Sequence, residues 1–405
     1  MTRGLIILLL CLAPVCLPRF AAASTVPLPR TGQTTCWDSS GNVIACDGTG
    51  QDGEIKAGAA WPTPRFTDNG NGTVTDNLTG LIWLQDAGCF GMQSWAAALS
   101  SANNLASGSC GLNDGSAAGQ WRLPNRKELK SLDNREYIYG LGWLSEQGFT
   151  GVSNSCYWSS STVAFSPDMA WYVQAYQGDV GYYYPSSKSG SCGVWPVRGT
   201  AAGMVQLPRT GQTASYAAGD DGDKRAGAAW PTPRFTDNGN STVTDNLTGL
   251  IWLKRANCFG VKDWAAALTS ANNRANGACG LTDGTTAGQW RLPNADELES
   301  LVDLSRSYPP LPAGHPFTND EWNRSYWTSS TRANFNMTDA ARVVDMYSGS
   351  LINSVKSSQN YVWPVRGGCI ADRDRDADVD GLDLYHLAAS FDGGCLAGFA
   401  AAFGR

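Results

Sequence analysis

The sequence predicts two tandem α+β modules of about 170 residues each, a normal size for one core, followed by a short acidic tail. Three observations lead there. Residues 57–84, AGAAWPTPRFTDNGNGTVTDNLTGLIWL, return as residues 226–253 with one change, Gly72 to Ser241, at an offset of 169 residues, so the chain is a duplication. Within each copy, helical spacing comes early and alternating aromatic spacing comes late, as in an α+β domain. Cysteines recur at matching places, which suggests disulfides internal to each copy.

Arg3, an apolar run over residues 5–17 and the small residues Ala21, Ala22 and Ala23 read as a secretory signal over residues 1–23. A membrane anchor is the alternative reading of that run, but it is shorter than the roughly 20 residues a spanning helix needs, so no membrane span is expected. Without the signal, 28 basic residues face 36 acidic ones, a net charge of −8. That balance disfavours nucleic acid as a partner. Charged residues make up 16% of the chain, below the usual value of about 25%, and the excess of glycine and aromatics points to a turn-rich chain that is neither disordered nor long-helical.

Ten cysteines lie outside the signal. Cys89 and Cys110 recur as Cys258 and Cys279, so each pair closes a loop in its own copy. Cys156 and Cys192 become Ser325 and Asn360 together, which makes them partners. Cys36 and Cys46 bracket an insert that copy two lacks, expected as a disulfide-closed hairpin on the surface of copy one; Cys369 and Cys395 bracket the tail. A metal cluster, the other reading, lacks paired C-x-x-C spacing.

In chain order, Trp61-Pro62-Thr63-Pro64 is extended, because each residue before a proline is pushed from the α region. Short strands flank the turn Asp68-Asn69-Gly70-Asn71-Gly72. Asp68, Asn69, Asn71, Asp76 and Asn77 could hold a cation, but turn residues bonding their own backbone are the simpler reading. Leu81-Ile82-Trp83-Leu84 is an apolar run and reads as a buried strand. Trp95, Ala98, Leu99, Ala102 and Ala106 share a helix face with Ser94 as N-cap; copy two repeats it from Asp263. Leu105 lies off that face and becomes Arg274, which implies an exposed position. Asn125 and Glu128, then Asn294 and Glu297, form capping boxes for a second helix. Alternating strands follow, and both copies close on Trp-Pro-Val-Arg-Gly, whose proline places the strand at a sheet edge or near an end. The resulting division is signal 1–23, modules 24–202 and 203–368, and tail 369–405.

FTDNGNGTVTDNLTGLIWL, WRLPN followed by Glu-Leu, YWSSS and VWPVRG, in that order through both copies, resemble the Lcl C-terminal domain family. The resemblance implies a C-type-lectin-like fold, related to that of formylglycine-generating enzymes, in a secreted or surface bacterial protein that acts by adhesion or glycan binding. Sulfated polysaccharides are associated with the family's namesake; the acidic-to-neutral balance here departs from a polyanion binder. The enzyme-like relative would need a catalytic cysteine pair, for which only Cys156 and Cys192 offer themselves, and their joint loss in copy two fits a disulfide better. The two histidines, His315 and His386, leave copy one without a histidine-based site. No catalytic residue is assigned.

The copies differ most in their second halves, where ligand contacts are expected. Copy one offers Tyr172, Tyr176, Tyr182, Tyr183 and Tyr184, and aromatic faces suit sugar rings. Copy two offers Trp322, Arg324, Arg332, Arg342 and Tyr347, a mix suited to anionic groups. The competing reading is that these alternating residues are core. In the tail, Asp372, Asp374, Asp376, Asp380 and Asp383 stand at loop positions 1, 3, 5, 9 and 12, with a backbone carbonyl from Asp378 at position 7. That spacing suits Ca²⁺, in a loop and helix that look like half of a dockerin. The expected function is extracellular binding, to a polysaccharide or surface glycan, or to a protein partner reached through the tail.

Overall fold

A computed structural model of the protein describes residues 25–137, 140–153, 155–175, 185–199, 203–321, 323–333 and 337–367. Each copy builds the same two sheets. In copy one a four-stranded antiparallel sheet runs in the order Val197–Arg198, Ile82–Leu84, Thr73–Asp76, Phe66–Asp68. The closing strand stands at one end of this order, with Pro196 just ahead of its first residue, and Val197 also bridges Arg122 on its far side. A five-stranded sheet runs Met92–Gln93, Cys192–Gly193, Cys156–Val163, Ser166–Gln174, Pro185–Ser187. Copy two repeats both orders, with Phe235–Asp237 to Val365–Arg366 in one sheet and Val261–Lys262 to Ser350–Val355 in the other. The repeated stretch is scaffold: its turn satisfies itself, Asn69 Nδ2 donating to Thr73 Oγ1 at 2.8 Å and the Gly70 amide to Asp68 Oδ1 at 2.8 Å. The polar residues predicted there as turn-formers are bonding their own turn.

The helices follow their caps. Trp95–Asn104 buries Trp95, Ala98, Leu99 and Ala102, and Trp264–Asn272 buries the matching residues. Asp263 accepts from the Ala266 amide, whereas Ser94 holds the N-cap position without a side-chain hydrogen bond. Arg126–Lys130 and Ala295–Ser300 both begin with complete capping boxes, on Asn125 with Glu128 and on Asn294 with Glu297. The expectation for Leu105 fails: it is a core residue at 2% exposure, and Arg274 is buried in its place at 3%. An arginine's aliphatic stem can take a leucine's place, and the Arg274 guanidinium lies 5.6 Å from the Phe259 ring centroid.

Behind the sheets the tryptophans repeat as pairs, Trp83 with Trp195 and Trp252 with Trp363, both at 5.7 Å between ring centroids. Buried Arg65 pairs with Asp76, and Arg234 with Asp245. Four disulfides join Cys36 to Cys46, Cys89 to Cys110, Cys156 to Cys192 and Cys258 to Cys279. Cys369, Cys395, the tail aspartates and the signal lie outside the described residues.

The modules are not beads on a string, because each N-terminal arm docks on the opposite module. Residues 25–59 reach module two: the Val26 amide donates to Leu247 O at 2.7 Å, Asn294 Nδ2 to Ala57 O at 3.0 Å, and the Thr331 amide to Gln33 Oε1 at 2.9 Å. Residues 205–228 make the reciprocal set on module one: the Val205 amide to Leu78 O at 2.9 Å, Asn125 Nδ2 to Ala226 O at 3.2 Å, and the Thr162 amide to Gln212 Oε1 at 3.0 Å. One apolar cluster runs through both modules, from Leu129 and Leu132 to Leu298 and Leu301. The Cys36–Cys46 hairpin therefore does not lie on copy one. It covers module two, where Trp37 O and Asp38 O accept from Lys356 Nζ at 3.1 and 2.9 Å and Gly41 O accepts from Thr338 Oγ1 at 2.8 Å.

Candidate functional site

The exchange of arms brings the divergent halves of the two copies together. At the junction, Phe165 of module one stands 5.9 Å from Tyr308 and 6.1 Å from Tyr347 of module two, ring centroid to ring centroid. Tyr308 and Tyr347 meet edge to face at 4.2 Å. Both tyrosines remain 40% and 44% exposed, so this is an aromatic surface rather than core. Its parts are held from behind. Phe165 rides the turn between the strands Cys156–Val163 and Ser166–Gln174. Tyr347 rides the turn after Ala340–Asp345, where its amide and the Ser348 hydroxyl donate to the Asp345 carboxylate at 3.2 and 2.7 Å. Gly349 in that turn has φ +79 and an added Cβ would lie 2.7 Å from Val302 Cγ1, so only glycine fits. Its carbonyl accepts from Arg126 Nη2 at 2.7 Å, which bolts the turn to module one. Tyr308 adopts a left-handed φ of 60, uncommon for a bulky residue, and its amide reaches Tyr347 O at 3.3 Å. The hydrogen bond to Tyr347 raises the Tyr308 phenol above its usual pKa.

The residues singled out from the sequence divide sharply. Arg324 and Tyr347 are both exposed, on chain segments joined by the Met346 amide donating to Arg324 O at 3.0 Å. Arg332 and Arg342 are buried at 3% and 4% exposure. Arg342 donates to Asn353 Oδ1 at 2.6 Å and is among the charges acting on Asp133 of module one, so it answers protein groups. Burial lowers the Arg332 guanidinium to a pKa of about 10. Tyr172 is half-buried against Trp158. Tyr176, Tyr182, Tyr183, Tyr184 and Trp322 lie outside the described residues, as do Asp372, Asp374, Asp376, Asp378, Asp380 and Asp383. Among the described residues no group of three or more His, Cys, Asp or Glu side chains could hold a metal, and no helix is long and apolar enough to cross a membrane. Phe165 and Tyr308 were missed although they lie in the divergent stretches; Tyr-Pro-Pro at residue 308 was the available signal of an exposed turn.

A second concavity, a cleft of about 390 Å³, lies where the arm of module two crosses module one. Exposed Arg209, Lys224 and Arg225 line one side. On the other, Arg122 is spent on Glu128, to which it donates twice at 2.6 Å. Cys156 and Cys192 are bonded to each other and supply no free thiol.

A search of curated proteins and one of solved structures returned no match. The Lcl C-terminal domain matches residues 72–198 and again residues 241–366. Both matches begin after the arms and end on the closing strands; they take in the five-stranded sheet of each module and the four-stranded sheet without its first strand, Phe66–Asp68 or Phe235–Asp237. With that domain present twice over more than half of its length, the chain belongs to the Lcl C-terminal domain family.

Proposed function

We propose that this protein is an extracellular, non-catalytic binding protein whose paired modules, C-type-lectin-like in character, recognise a glycan. The observation that carries the reading is the surface at the junction made by exposed Tyr308 and Tyr347 over half-buried Phe165. Two wet, rigid tyrosine rings offer apolar faces and hydroxyl tips together, the combination that suits a sugar ring. Arg324, exposed just before the neighbouring strand Ser325–Thr331, is a further donor suited to carboxylate or sulfate substituents. Disulfides fit an oxidising, extracellular setting. A glycan array probed with the mature protein tests this. Binding should weaken about tenfold in Tyr347→Ala and in Phe165→Ala, the loss of one stacking contact. Absence of binding to every polysaccharide sinks the reading.

A protein partner is the second reading, favoured by Val43 and Ile44, which are 70% and 38% exposed on the Cys36–Cys46 hairpin. For the tail, the proposed ligand is Ca²⁺ on Asp372, Asp374, Asp376, Asp378, Asp380 and Asp383. Titration calorimetry should give a calcium heat that Asp372→Ala and Asp376→Ala abolish, and a wild type without that heat overturns the assignment.

A further inference from the structure

The junction between the modules has the form of a two-fold dimer interface, in which contact i to j is answered by j to i. Ser330 Oγ donates to Asp52 Oδ2 at 2.5 Å, and 169 residues away on each side Ser161 Oγ donates to Asp221 Oδ2 at 2.6 Å. A symmetric interface of this kind could in principle join two copies of module one, or two of module two, as well as one of each.

The helices at the centre break that equivalence. Arg126–Lys130 reads RKELK and Ala295–Ser300 begins ADELE. The shared Glu128 and Glu297 are taken by Arg122 and Arg291 of their own modules. The remaining charges face across the junction: Arg126 to Glu299 at 2.7 Å, Lys130 to Asp296 at 2.8 Å and to Glu299, and Arg135 to Asp296 at 2.9 Å. All of these side chains are at most 16% exposed, where screening is weak. Burial alone would push the Asp296 carboxyl up, yet Lys130 and Arg135 hold it down to about 2.

Applying the offset of 169 shows what the self-pairs would contain. Position 299 corresponds to Lys130 and position 296 to Lys127, so in a pair of modules one Arg126 would meet a lysine and Lys130 would meet two. In a pair of modules two, Glu299 would meet Asp296 and another Glu299. In a pair of modules one only Asp133, already bonded to Arg135 at 3.3 Å, would stand against the excess of cations, and in a pair of modules two the carboxylates would face one another; only in the mixed pair do Asp133, Asp296 and Glu299 balance Arg126, Lys130 and Arg135.

We infer that this surface is a charge-coded interaction interface: module one accepts as its partner a module of the same family whose capping-box helix is acidic, and rejects its own kind. The code makes the mixed pair the stable one even when no peptide bond joins the modules.

The test uses the full chain with a protease site introduced between Gly199 and Gly203. After cleavage, native mass spectrometry and size exclusion should show one fragment of each kind held together. Fragments separated in denaturant and remixed should return as mixed pairs. Arg126→Ala, Lys127→Asp and Lys130→Glu together, which make both helices acidic, should weaken the cut complex at least about a hundredfold. Adding Ala295→Arg, Asp296→Lys and Glu299→Lys, with Arg135→Leu and Leu304→Arg so that no arginine is left facing the new lysine at 296, exchanges the two charge sets and should restore it, which separates a charge effect from misfolding. Fragments that part on cleavage, that return as self-pairs, that ignore the three acidic changes, or that the exchange fails to rescue each overturn the inference.

Discussion

Lys188 and Lys356 occupy the same place in the two modules, over the tryptophan that starts the first long helix, 3.9 Å from the Trp95 ring centroid and 4.2 Å from that of Trp264. Their surroundings differ. Lys356 is sealed at 1% exposure by the Cys36–Cys46 hairpin, and burial lowers its ammonium to a pKa of about 7. Lys188 is half-buried, beside exposed Tyr216 of the shorter arm and within reach of the charge of Asp220, and bonds Thr162 Oγ1 at 2.9 Å. Module one has instead the Cys156–Cys192 disulfide, whose sulfurs lie in the same small core as Trp95 and Trp158. Module two has no cysteine there and relies on the hairpin. One flank, duplicated, is held once by a covalent bond and once by a cover donated from the other module. What the two halves keep in common is the lock between them, and what they vary is the means of closing the flank.

The sharpest way to break this comparison is to remove the covalent half. Cys156→Ser with Cys192→Ser opens a loop of 36 residues, and chain entropy sets the loss at about 4 kcal/mol. Chemical denaturation of the oxidised protein measures it. A variant as stable as the parent shows that module one closes this flank without the bond, and the equivalence of disulfide and hairpin falls.

The lock itself should behave alike on both sides. Asp52 and Asp221 are buried between a threonine of their own arm and a serine of the opposite module, and burial raises each carboxyl to about 6 against the opposing effect of those hydroxyls. A folded pKa above the unfolded value means that the native state binds the extra proton. The stability so gained is present below about pH 4 and is lost as pH rises through about 6, by roughly 3 kcal/mol for each group. Asp52→Asn and Asp221→Asn should therefore each flatten the fall in melting temperature between pH 4 and pH 7, and by equal amounts. Unequal effects would show that the two arms are not equivalent locks.

Much of each module was legible because its signals are local. The turn at residues 68–72, the capping boxes on Asn125 and Asn294, and the end position of the closing strands all depend on residues a few places apart. Cysteine pairing was legible because the duplication supplied an internal comparison, Cys156 and Cys192 disappearing together. The arm exchange was not legible: a bond such as Thr331 to Gln33 spans 298 residues, and the same glutamine would fit either module by sequence. That is also why the hairpin was placed on the wrong copy and why Phe165 went unpaired with Tyr308 and Tyr347. Leu105 misled for a different reason. Replacement by arginine predicts exposure, but a long aliphatic stem can occupy a leucine's place.

The smallest test separates the twin helices themselves. Asp263 Oδ1 accepts from the Ala266 amide at 2.8 Å, satisfying one of the free donors at the start of Trp264–Asn272 and setting a negative charge against the helix dipole. Ser94 holds the same position with the same extended backbone, φ −66, but makes no side-chain bond to the helix. Asp263→Ala should thus cost about 1 kcal/mol, while Ser94→Ala should lie within a few tenths of the parent and Ser94→Asp should gain up to about 1 kcal/mol. Thermal unfolding of the three variants decides it. Equal losses from the two alanine changes would mean that Ser94 caps its helix after all, and that the two modules start their first long helix in the same way.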